Sequence, residues 1–325
     1  DRSSAASDVY KRQAYTAYLN GNWIDSEEIK IDHRDRGFRT GDCVFDTART
    51  FDGVIYNVRR HAERFTRSLK YARLDSGLTT DEWVDIFNQS VERNKHNLKE
   101  AGDFYIYPFV TRGMGWPAPA SGPPTVACIA YPVYFGRWSE WFDEGVKGAI
   151  PKTRNLSAEQ VDPKIKHQSR MHMNLAEMEA WDIDEGAYPV MMDLAGNLTE
   201  GTINSVFLVS NGVLKCPTDS SILQSESRWT IRDLASQLGI ETAQEDLQPY
   251  DLYTADEAFL AFTGPCVLPL TTIDKRPVGD GKPGPITNQL LAAWSERVGI
   301  DIVGQAKRYG EMGNAGHPDA PQSDR

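Results

Sequence analysis

Residues able to do chemistry are spread along the chain in a definite order. "DPKIKHQSR" offers Lys164 and Lys166 just before an amphipathic stretch. "LTEG" sets Glu200 between Thr199 and Gly201, ahead of a run rich in Ile, Val and Phe. "HAERFTRSL" carries Arg64 on a helical pattern, "SES" at 225–227 opens another, and Thr263-Gly264 ends an apolar strand. A neutral lysine amine can form a covalent carbonyl adduct and then move protons. A carboxylate inside a sheet needs a cationic partner. An arginine, with N–H groups at a helix start, makes a phosphate seat. Singly, each has a plainer reading: a solvated lysine, an edge carboxylate, a helix flank, a serine cap or a turn.

Together the pieces suit pyridoxal phosphate, which needs a Schiff-base lysine, an acid on its ring nitrogen, a phosphate cup and shelter from water. Their order and spacing resemble the class IV aminotransferases, the fold-type IV pyridoxal-phosphate enzymes. The resemblance runs from about residue 15 to 303 and also takes in "RGFRTGDCVFDT", "LQSESR" and "FTGPCVLPL". It implies that Lys166 carries the cofactor, with Glu200 standing 34 positions further on. Glu200 then faces the pyridine nitrogen, with Gly201 letting the backbone pass close. Arg64, Glu226, Ser227, Thr263 and Gly264 hold the phosphate. Periodicity alone does not choose Lys166 over Lys164, since residues two apart in an extended segment share a face.

The resemblance fixes the chemistry better than the substrate. Positions that carry a carboxylate-binding arginine in branched-chain, D-amino acid and (R)-amine enzymes hold Tyr107, Pro117 and Ala118. Met171 stands where branched-chain enzymes have tyrosine, Ser205 where an asparagine is usual, and Ser225 where glycine is usual. Phe45, Tyr105 and Tyr107 are expected to line an aromatic pocket closed by Met114 to Trp116, with Arg39 first and Arg137 second as the group serving a 2-oxo acid. The expected activity is amino transfer between an amine or amino acid and a 2-oxo acid, with (R)-amine-like specificity. The alternatives are a branched-chain L-amino acid aminotransferase, a lyase of the aminodeoxychorismate type and a non-catalytic binding module on the same scaffold.

Other chemistries are excluded by what the chain lacks. It holds no GxSxG, HExxH, GxxxxGK[ST] or GxGxxG, and His167 and His172 are not at metal-pair spacing. A net charge of −11 is a poor field for nucleic acid or anionic membrane. Four cysteines without CxxC spacing suggest neither zinc nor a disulfide framework, and point to a cytoplasmic protein. No apolar run reaches transmembrane length.

The 325 residues suit two domains. Residues 1–13 read as a disordered fragment edge or an appended scar. Residues 14–135 form a smaller N-terminal α+β domain: hairpins turning near Gly21-Asn22 and Asp52-Gly53, two helices, then strands around 104–113 and 125–135. A capping box at Thr79 and Glu82 opens the second helix. Residues 136–145 connect it to a larger domain, 146–304, expected to hold the cofactor on a β-barrel-like sheet. There a helix carries Met171, Leu175, Met178 and Trp181 on one stripe, and hairpin signals stand at 195–197 and 210–212. Residues 305–325 read as a mobile tail. The irregular order of strands and helices argues against a doubly wound or TIM-barrel fold. The overall expectation is an α+β homodimer with its site at the domain boundary.

Overall fold

A computed structural model describes residues 14–117 and 122–311. The first half builds strands β1 (Thr16–Leu19), β2 (Asn22–Asp25), β3 (Cys43–Phe45), β4 (Ala48–Phe51), β5 (Val54–Ile55), β6 (Phe104–Thr111) and β7 (Val126–Pro132). Helices α1 (Arg36–Thr40), α2 (Val58–Ala72), α3 (Thr80–Asn94) and α4 (Leu98–Ala101) lie between them. The seven strands run in the order β2-β1-β7-β6-β4-β5, with β3 also on β6. Asn20-Gly21 and Asp52-Gly53 hold the positive φ values that tight two-residue hairpins require. The Thr79–Glu82 capping box is formed in both directions. Beneath the sheet, Phe65, Trp83, Phe87, Phe104 and Ile106 make the first core.

The second half holds α5 (Trp141–Glu144), β8 (Val146–Ala149), α6 (Met171–Ile183), β9 (Tyr188–Pro189), β10 (Ser205–Ser210), β11 (Val213–Pro217) and α7 (Glu226–Gln237). It continues with β12 (Thr242–Glu245), α8 (Pro249–Tyr253), β13 (Glu257–Phe262), β14 (Cys266–Ile273), β15 (Arg276–Pro277), α9 (Pro285–Val298) and α10 (Ile302–Glu311). The sheet order is β12-β11-β10-β13-β14-β8-β9, with β15 on β14. Its core centres on Phe207 and Phe259, whose rings stack 5.0 Å apart. The architecture is α+β, with two domains and two separate sheets. Phe51 and Tyr105 of the first sheet pack into the second core, so the domains meet through buried apolar surface.

One expectation changes here. Residues 305–311 are not tail: they finish α10, which buries Ile302, Gln305 and Ala306 and stacks Tyr309 on Phe135. The apolar stripe of α6 faces outward. Met171, Leu175, Met178 and Trp181 are 46% to 72% exposed, and the helix buries Ala176 and Ala180 instead. Periodicity finds an apolar face; it does not say what covers it.

Candidate functional site

The segment carrying Lys166 joins the edge of β3. Phe45 donates its N–H to the Lys166 carbonyl (3.0 Å), and Gln168 donates to the Cys43 carbonyl (2.9 Å). Ser68 of α2 accepts from the Lys166 main-chain N–H at 3.2 Å. The side chain is thereby directed over Phe45, with Nζ 4.7 Å from the ring centre. Lys164 lies on the other side of a turn, closed by Ile165 donating to the Asp162 carbonyl at 3.0 Å, and its ammonium pairs with Asp162 at 2.9 Å. That turn removes the shared face assumed for an extended segment. Lys166 lines a cavity and Lys164 does not. Burial, reinforced by Arg64 and Arg170, pulls the Lys166 amine down to about 7.

Glu200 lines the same cavity and is only 6% exposed. Burial pushes its carboxyl up to about 7, partly offset by the Leu223 N–H donating to Oε1 at 3.0 Å and by Lys166. Asn155 also hydrogen-bonds Glu200. Gly201 lines the cavity, and a Cβ there would also meet Asn204 at 2.5 Å and the Pro189 carbonyl at 2.7 Å. That close packing against protein is itself a reason for the glycine.

Arg64 reaches the cavity from α2. Asp46, in the β3–β4 link, takes its Nε and Nη2 at 2.8 Å each, and His61 Nδ1 lies 2.8 Å from the same carboxylate. Burial would raise the Asp46 carboxyl, but Arg64 and His61 hold it well below the usual range. Ser225 caps α7 by accepting from the Arg228 N–H at 3.0 Å. Ser225, Ser227 and Thr263 line the cavity beside Arg64. Arg64, Lys166 and Arg170 face the single carboxylate of Glu200, so the wall is cationic within an acidic chain.

Other expected site residues stand apart from this wall. The Glu226 side chain leaves it to pair with Arg60 at 2.6 Å. Gly264 sits behind the wall: its carbonyl accepts from the buried Arg49, and a Cβ would lie 2.3 Å from the Tyr105 hydroxyl. Tyr105 is thus boundary packing. Phe45 and Tyr107 pack together, ring centres 5.4 Å apart, and the Tyr107 hydroxyl accepts from Gln168; neither lines the cavity, although Phe45 lies beneath the Lys166 amine. Met114 and Trp116 are exposed, Trp116 under the Arg36 guanidinium, and neither lines the cavity. Arg39 ends α1 in solvent, and Arg137 is exposed while bonding Tyr188. Neither lines the cavity. Ala118 lies outside the described residues.

Sequence reading missed Asp46, Asn155 and Arg170. Asp46 is 18 positions from Arg64 and carries no local signal. Arg170 is four past Lys166 in a segment whose turn was not foreseen.

Two unlike domains, each with its own sheet, and a lysine–carboxylate–arginine cavity near their boundary define a fold-type IV enzyme. The sequence matches the family described as Amino-transferase class IV over residues 43–273, and the chain belongs to that family. It is 34% identical over 281 residues to a Methanocaldococcus jannaschii protein provisionally named a branched-chain-amino-acid aminotransferase, covering 84% of this chain and 93% of that one. It is 28% identical to the D-alanine aminotransferase of Staphylococcus haemolyticus, covering 86% and 97%. The branched-chain aminotransferase of Thermoproteus uzoniensis, solved with norvaline, superposes with a TM-score of 0.79 at 28% identity, over 91% and 97% of the chains. That of Thermobaculum terrenum, solved in its PLP form, gives 0.77 at 26% identity, over 92% and 97%. The protein is an aminotransferase.

Proposed function

We propose that this protein is a pyridoxal 5'-phosphate transaminase exchanging an amino group between an amine or amino acid donor and a 2-oxo acid. One observation carries the reading: Lys166, Glu200 and Arg64 line one cavity, with the α7 N-terminus beside Arg64. The wall also suits the cofactor where it lacks protein partners. Asn204 is buried there with both amide atoms unbonded, as is His172 Nε2. Asp46 leaves Arg64 Nη1 without an acceptor among the described residues.

In this reading Arg64, Ser227 and Thr263 would hold the cofactor's phosphate, Lys166 would be its point of attachment, and the Glu200 carboxylate would pair with its ring nitrogen. The cofactor, when bound, supplies an electron sink for the substrate's α-carbon. With the cofactor bound, Lys166 would be the group that holds and moves the substrate's α-proton, at Nζ. That step needs a neutral amine, and burial beside two arginines favours one near pH 7.

The aromatic pair of Phe45 and Tyr107, with Phe45 beneath the Lys166 amine, supports (R)-amine-like donors, whose apolar group would rest near it. The names of the relatives support amino acid donors, branched-chain or D-alanine. A panel tests the donor: (R)-1-phenylethylamine and L-leucine, each against pyruvate and 2-oxoglutarate, and D-alanine against 2-oxoglutarate alone. Retention of all three chemical groups on one wall speaks against a non-catalytic module.

The exposed stripe of α6 supports a homodimer in which a second copy covers it. Four free, buried cysteines support a cytoplasmic setting. Among the described residues, no helix is long and apolar enough to cross a membrane.

A further inference from the structure

We infer that Arg170 is the seat for the substrate's carboxylate, so the 2-oxo acid and any amino acid donor are bound by a charged pair at this residue. The inference rests on the transaminase reading. Of the three cations on the cavity wall, Arg64 is gripped twice by Asp46 and Lys166 is the reacting amine. Arg170 pairs with no carboxylate among the described residues. Its hydrogen bond goes to the Thr202 carbonyl, a neutral acceptor, and its guanidinium lies over Phe45, 5.6 Å from the ring centre. A guanidinium carries five donors, and most of these are left for a ligand.

Placement favours the substrate as that ligand. Nζ of Lys166 lies over the same Phe45 ring, so one small molecule can meet both groups. Arg170 is the N-cap residue of the 13-residue α6, which adds the positive end of a helix. Glu200 and Glu177 are felt by Arg170, but Glu200 is bonded to Leu223 and Glu177 to the Thr202 hydroxyl at 2.5 Å. Arg39 and Arg137, the candidates from sequence, are exposed and off the cavity wall. An arginine fork matches a carboxylate at two points, which a lysine does not.

The test is calorimetric binding to the cofactor-loaded protein of 3-phenylpropanoate, which has neither amine nor carbonyl, and of its neutral amide. In R170M the acid should bind at least tenfold more weakly relative to the amide. KM for pyruvate should rise tenfold or more, with kcat falling less. R170K should recover part of the loss. If R170M takes up no cofactor, R170Q, which can still donate to Thr202, carries the same comparison. Acid and amide weakened alike, or an acid affinity unchanged, would overturn the inference. Failure of the transaminase reading looks different: the wild-type protein would then exchange no amino group with any acceptor.

Discussion

Lys166 and Phe45 are joined twice: the Phe45 N–H donates to the lysine carbonyl at 3.0 Å, and the lysine Nζ stands 4.7 Å from the phenyl ring centre. The first contact fixes the backbone and the second fixes the amine. Lys164, two residues away, is instead tied to Asp162 near the surface.

Lys166→Ala should therefore abolish both cofactor attachment and turnover, whereas Lys164→Ala should keep activity within about threefold, a surface ion pair being worth about 0–1 kcal/mol. Borohydride reduction of the loaded protein followed by peptide mapping checks the assignment. A label on Lys164 would refute it.

Glu200→Gln should keep the cofactor and lose most activity, on the order of a hundredfold or more, because an amide cannot stabilise a ring cation as a carboxylate does. The same variant has a pH signature in the cofactor-free protein. Burial raises the folded carboxyl to about 7, against 4.5 for a glutamate in water, so ionising it costs the folded state. Its raised value favours folding below about 4.5, and that advantage is lost as pH rises through 7. The melting-temperature difference, Glu200→Gln minus wild type, should thus grow from pH 4.5 to 7. A difference flat over that window would show that the carboxyl is not held in a dry site.

Asp46→Asn removes the counter-charge from Arg64 inside the fold, where the two side chains are 1% and 5% exposed. Breaking a buried pair of this kind costs roughly 3–5 kcal/mol. Chemical denaturation should show that loss, and the affinity for pyridoxal phosphate should fall about tenfold as the arginine loses its fixed position. Unchanged stability would mean that Asp46 is dispensable to the cup.

Met178→Glu places a charge in the middle of the exposed α6 stripe. Sedimentation velocity should show the wild-type protein as a dimer and the variant shifted towards monomer. A wild-type monomer would remove the second copy from this face.

How much of this was written in the sequence depends on range. Asp52-Gly53 and Asn211-Gly212 turn as read, and the first hairpin turns one residue earlier than read, at Asn20-Gly21, because two-residue hairpins demand positive φ and those residues supply it. The Thr79–Glu82 box is equally local. Lys166, Glu200 and Arg64 were legible only through their resemblance to a family, and the fold gathers them on one wall. Asp46 was not legible, since nothing near it says that α2 will return against it. Nor was the role of Arg170, which depends on the turn at residues 162–165. The helix α10 was missed because Gly304, Gly310 and its basic residues mask a thin apolar face of Ile302 and Ala306.

The central claim is amino transfer through pyridoxal phosphate at this cavity. Its most direct measurement is a single incubation of the cofactor-loaded protein with the donor panel and 2-oxoglutarate, following glutamate by chromatography. The account predicts glutamate formed in step with the oxidised donor, and none from Lys166→Ala. A wild-type protein that binds the cofactor yet forms neither glutamate nor, with D-alanine left out and pyruvate in place of 2-oxoglutarate, alanine, would contradict it.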